Sequence, residues 1–240
     1  MTTPRLHART RRAAASLVIA TAGLLTLAGC DPRTLIYFLQ PFEPTIPPPC
    51  KTSLKGKKVV ILAHALSGTQ SDFQSLDRQV AREVGKLFRE KVKKIEVVDV
   101  EKTWAWIEGH PNWTDPVEAA KAFEADIVIF LEIEQFQVSS PSSPGLLEGT
   151  AKTHIQAFEL AHPKNSKGKP ILDQPKESQN IHDAYKDTVF PIRGPIPESA
   201  SGSRAAFSNK FLQIVAAEIS WHFIEHSPEE DIQDVKFGGH

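Results

Sequence analysis

Three short constellations and one thiol in this sequence could do chemistry. His222-Phe-Ile-Glu225-His226 places two imidazoles four positions apart with a carboxylate between them. On a helix the two histidines would share a face and could hold zinc, leaving Glu225 as general base for a bound water. Val59-Val-Ile-Leu-Ala-His64-Ala-Leu-Ser67-Gly68 ends an apolar run on a histidine and small residues, as a loop bordering a hydrolytic site would. Trp104, Trp106 and Trp113 fall within ten positions, with His110-Pro111 between them. Indoles concentrated in this way either anchor a partner protein or cap one end of a sheet and stiffen the connection. The thiol is that of Cys30, which closes an apolar run and could carry a covalent modification.

Neither hydrolytic reading is complete. The His222–His226 pattern matches the His-x-x-Glu-His of inverzincin peptidases, but it falls in the last turn of the C-terminal helix. Histidines are favoured there in any case, because they complement the negative end of the helix dipole. Only Glu229, Glu230, Asp231, Asp234 and His240 follow, whereas those peptidases draw a third ligand from a later helix. The His64 segment resembles the His-Gly loop of α/β-hydrolases, yet Ala65 follows the histidine and no Gly-x-Ser-x-Gly elbow occurs in the chain. No P-loop, Gly-x-Gly-x-x-Gly or Cys-x-x-Cys pattern is present, so no cofactor is expected. The expectation is a non-enzymatic protein without a metal. A zinc-dependent hydrolase using His222, Glu225 and His226 is the alternative.

Cys30 says where the protein lives. Arg5, Arg9, Arg11 and Arg12 precede an apolar run from Ser16 to Leu27, and no acidic residue occurs before Asp31. A basic start, a short apolar core and small residues at the cut describe a secretory signal peptide, and the core is shorter than the roughly 20 residues needed to span a bilayer. The ending Leu27-Ala28-Gly29-Cys30 resembles the lipobox of bacterial lipoproteins. That resemblance implies removal of residues 1–29 and acylation of Cys30 with palmitate-type chains, which anchor far more firmly than a single myristoyl group. It further implies a protein held on the cell membrane or outer membrane and facing the periplasm, with the choice of membrane open.

Removing residues 1–29 takes away four arginines and no acids, so the formal net charge moves from −1 to −5. Nothing in this balance suggests a surface for nucleic acid or for a polybasic membrane contact, which would need clustered Lys and Arg. From Asp31 to about Thr52 the prolines 32, 41, 44 and 47–49 describe an extended tether over residues 30–54. Within it, Leu35-Ile36-Tyr37-Phe38-Leu39 is an apolar patch for which docking on the domain and lying at the membrane surface are both open. Cys50 has no intramolecular partner once Cys30 is acylated, and nothing beside it in the sequence would activate its thiol.

The elements that must position these residues follow from periodicity. Lys58–His64 is a continuous apolar run and reads as a strand buried on both faces. Ser71 and Gln74 form a capping-box pattern ahead of a helix over 72–93, and Ile95–Val100 reads as a second strand. Asp115 caps a helix from Pro116 to Phe123. Asp126–Val138 and Leu146–Leu160 form a hairpin, with a β-bulge at Glu134–Gln135 because the inward parity slips there. A polar loop runs from His162 to Asp183, a last strand from Tyr185 to Ile192, and Ser203 caps a terminal helix.

The expected fold is α/β (α+β), with one mixed β-sheet of about five strands in the order β-α-β-α-β-β-β-α and helices packed on it. The domain spans 55–226, and 227–240 is a flexible acidic tail. Val59–His64, the helix after it, the Ala125–Ile133 strand and the Phe207–Phe223 helix resemble the small domain of TolB-amino-terminal-like and curli-secretion-type envelope lipoproteins. This resemblance implies a non-enzymatic module that binds other, unidentified envelope proteins.

Overall fold

The computed structural model describes residues 44–66, 75–139, 145–163, 165 and 167–230. The leader, Cys30 and the Leu35–Leu39 patch lie outside these residues, as do the capping-box positions Ser71 and Gln74 and the tail beyond 230. Strand β1 (Lys58–Ala65) is an interior strand of the sheet, with Val59 to Ala63 buried throughout. Buried on both faces, it needs covering layers above and below. Short β2 (Glu96–Val97) and long β3 (Ile127–Gln137) lie parallel to it on either side. Strands β5 (Gly149–Ala161) and β6 (Glu177–Phe190) then add antiparallel, giving the order β2-β1-β3-β5-β6. A two-stranded ribbon of β4 (Leu146–Leu147) and β7 (Ile196–Pro197) stands beside this five-stranded mixed sheet.

Alternation of side chains divides the core in two. Val59, Ile61, Ile129, Leu131 and Ile155 face helix α1 (Leu76–Lys91) and the last helix, α4 (Arg204–Ser220). From α1 come Val80, Val84 and Phe88; from α4 come Phe207, Phe211, Ile214, Val215 and Ile219, all buried. Val60, Leu62 and Val128 point the other way, onto α2 (Val100–Gly109) and α3 (Pro116–Ala122). Two caps form as expected. The Asp115 side chain accepts from the Val117 N–H at 2.9 Å, and Ser203 Oγ accepts from the Ala206 N–H at 3.1 Å. The expected bulge is present as a register shift between Ile133 and Gln135, which returns Phe136 to the core face.

Four expectations need correction. The strand expected at 95–100 ends at Val97, because the Asp99 carboxylate accepts from the Glu101 N–H at 2.7 Å and starts α2, a helix absent from the expected order. The last strand begins at Glu177 and absorbs the end of the expected polar loop. It is the sheet edge, with one side unpaired, so its solvent-facing polar residues conceal a strand of 14 residues. The expected tether ends earlier than residue 54. Ile46 pairs with His226, the Cys50 N–H donates to the His222 carbonyl at 3.0 Å, and Cys50 and Leu54 are buried, so residues 45–54 strap onto the domain. Finally, α4 stops at Ser220, and Phe223 completes the buried stripe from the turns that follow.

Candidate functional site

The three tryptophans part company. Trp104 and Trp106 lie on α2 and Trp113 in the turn beyond it, so most of the segment is helical. Two positions on a helix are about 200° apart around the axis, which sends the first two indoles to different sides. Trp106 stacks on His110 at 4.6 Å between ring centres and lies 6.1 Å from Trp113. Trp113 meets Phe130 of β3 edge-on at 5.5 Å. These two indoles pack against the second core. Trp104 stays outside it. Its Nε1–H donates to Glu108 Oε1 at 2.8 Å, and the Arg78 guanidinium sits 5.6 Å from the ring centre.

Around Trp104 the surface is polar and ordered by charge. Glu101 of α2 accepts from Arg82 at 2.7 Å and from Arg78, two cations four apart on α1. Arg78 and Arg82 also line a groove of about 540 Å³ between α1 and α4, with Gln79, Asn209 and Gln213. An aromatic face, two arginines and a fixed carboxylate can meet a partner through stacking and charge-assisted hydrogen bonds.

The His222–His226 segment does not form the site that its letters suggest. Because α4 ends at Ser220, helical spacing no longer puts the two histidines on one face. His222 Nδ1 lies 2.8 Å from His182 Nε2 of β6, a hydrogen bond that needs one ring to donate and the other to accept. Burial, then the neighbouring His182 and Lys186, push the His222 pKa down to about 4. Burial also lowers that of His182. His226 instead stacks flat on Trp221 at 4.4 Å, and Glu225 is exposed. Among the described residues no three His, Cys, Asp or Glu side chains gather where they could hold a metal ion.

His64 is exposed near the end of β1, and Ser67-Gly68 lie outside the described residues. Asp77, the second residue of α1, is buried, and that burial raises its pKa; its Oδ1 accepts from the Arg78 N–H at 2.8 Å. On the open face of β5 and β6, His154 bonds to Asp183 at 2.7 Å and stacks on Tyr185 at 4.3 Å. The expected loop from His162 to Asp183 left Asp183 outside any strand, so the sequence alone does not bring this pair together. Burial raises the Cys50 pKa, and its thiol faces the carbonyls of Thr52 and Ile181 at 3.9 and 3.8 Å. No helix among the described residues is long and apolar enough to cross a membrane.

No family model and no curated protein matches the sequence. Several solved structures share a partial likeness with the chain. The hypothetical protein CT253 of Chlamydia trachomatis is 13% identical, with 70% of this chain and 98% of that one covered, at a TM-score of 0.40. A PelC dodecamer from Paraburkholderia phytofirmans is 9% identical, with coverage of 75% and 97% and a TM-score of 0.39. Lipoprotein GNA1162 of Neisseria meningitidis is 10% identical, with coverage of 68% and 97% and a TM-score of 0.36. A lipoprotein is thus among the structures that this chain partly resembles.

Proposed function

We propose that the chain is an acylated lipoprotein of the cell envelope, facing the periplasm and acting as a non-enzymatic protein-binding or assembly module. The observation that carries this reading is Leu27-Ala28-Gly29-Cys30 behind a basic and apolar leader. A folded α/β domain follows from Thr45. On that domain the Trp104 face of α2, with Arg78 and Arg82 of α1, is the surface best equipped to receive a partner. It offers an indole and two guanidinium groups, the side chains in which interface energy concentrates.

The test is Trp104→Ala and Trp113→Ala made separately, with thermal stability and in-cell cross-linking to partners both recorded. Trp113→Ala should destabilise by about 2 kcal/mol through the cavity left against Phe130. Trp104→Ala should change stability by less than about 1 kcal/mol, since its indole lies outside the core, and should abolish cross-linking. Unchanged cross-linking in Trp104→Ala would move the binding surface elsewhere.

A further inference from the structure

The strap that carries the chain into the domain and the end of α1 together build a groove of about 530 Å³. Its apolar lining is Leu54, Val92, Phe223 and Ile224, and its rim carries Lys51, Lys55, Lys91 and Lys93. Lys94 is next in the chain. Lys91 is engaged by Glu230 at 3.1 Å, and Glu225 adds one more carboxylate to the lining. Lys51, Lys55, Lys93 and Lys94 are exposed, and none of the four makes an ion pair among the described residues. Four cations at one end of the domain, without an ion pair among the described residues, on a chain whose formal charge after residue 29 is −5, favour an anionic occupant. The pattern is invisible in the sequence, because the two lysine groups stand some forty residues apart and only the fold brings them together.

We propose that this lysine-rimmed groove docks on the anionic phospholipid headgroups of the membrane that holds the chain. The inference rests on the reading that Cys30 is acylated. Thr45, where the chain enters the domain, itself lines the groove. Cys30 lies about 15 residues upstream of it. Fifteen residues reach about 54 Å at most, whatever their conformation. An acylated Cys30 thus keeps the Thr45 end of the domain, and the groove it lines, within that distance of the bilayer. Lysine stems can lie along its apolar lining while their ammonium groups reach the phosphates. Each lysine brought to an anionic surface strengthens the contact by about five-fold, so four turn a tethered domain into a docked one. Docking in turn would fix which face the domain presents to the periplasm.

The experiment mixes the full chain, produced in bacteria with its own leader, with vesicles of phosphatidylcholine alone or of phosphatidylcholine mixed with phosphatidylglycerol, and maps lysine acetylation by mass spectrometry after flotation. Lys51, Lys55, Lys93 and Lys94 should label at least about five-fold more slowly on the anionic vesicles, and high salt should erase the difference. Lys102 and Lys121, exposed on α2 and α3, should label alike on both. Reversing the charges (Lys51→Glu, Lys55→Glu, Lys93→Glu) should remove the protection still seen at Lys94. Equal labelling on the two kinds of vesicle would overturn the proposal. So would protection already present on phosphatidylcholine, which would mean that the chain's own residues cover the groove. A chain that floats with neither vesicle would instead overturn the acylation reading, so the two failures are distinguishable.

Discussion

Acidification should loosen the seam between β6 and the chain after α4, where His182 and His222 meet. Their hydrogen bond at 2.8 Å needs at least one neutral ring, because two imidazolium groups have no acceptor between them. The His222 pKa falls from its ordinary 6.5 to about 4, with burial the largest cause. The unfolded chain therefore takes up a proton on His222 at a pH where the folded chain still refuses it, and stability rises with pH across that window. The contribution is complete above about pH 6.5 and is lost progressively as pH falls towards about 4. A shift of this size corresponds to an upper bound of about 3 kcal/mol, which solvent access to the half-buried ring reduces to about 2 kcal/mol. His182 acts in the same direction through burial, opposed by the adjacent Asp183. Urea unfolding of the wild type and of His222→Gln, at about pH 7.5 and about pH 4.5, separates this seam from the general effect of acid. The wild type should lose about 2 kcal/mol more than the variant between the two conditions. Equal losses, or a His222 titration near 6.5 by NMR in the folded chain, would refute the reasoning.

Two further outcomes follow from packing. Leu131→Ala, in the centre of β3 with no exposed surface, should cost about 2–5 kcal/mol in the same unfolding assay. Gly149→Ala should cost about 1–3 kcal/mol despite adding a single methyl, because its Cβ would stand 2.5 Å from the ring of Phe211, itself fully buried. Pairing it with Phe211→Leu should recover part of that loss, and strict additivity of the two changes would deny the clash.

The sheet was legible where periodicity and burial agree. The apolar run at 58–64 read as a strand buried on both faces, and Val59–Ala63 are so buried; the parity slip at Glu134–Gln135 pointed to the bulge that is present. The parts that escaped did so for physical reasons. Val98 and Val100 extend the pattern of a strand, but the Asp99 side chain captures a backbone N–H and turns the chain into α2. That one cap also determines which tryptophan faces the core and which faces solvent. The polar stretch from Glu177 becomes a strand only because β5 supplies its hydrogen bonds, a tertiary effect that no local pattern carries. The prolines at 47–49 suggested a free tether. Yet Ile46, Cys50 and Leu54 bind the same stretch to the domain through one bridge, one backbone hydrogen bond and two buried side chains. The His-x-x-Glu-His letters promised a shared helical face, and the end of α4 at Ser220 removed it.

Everything proposed about function depends on the anchor at Cys30. Its most direct test is the membrane partition of Cys30→Ala beside the unaltered chain, with both followed by gel mobility. The predicted result is that the unaltered chain runs in the membrane fraction as the shorter, processed form, while the variant runs more slowly as an unprocessed precursor that keeps residues 1–29. A variant that stays membrane-bound and migrates like the wild type would contradict the lipoprotein reading outright.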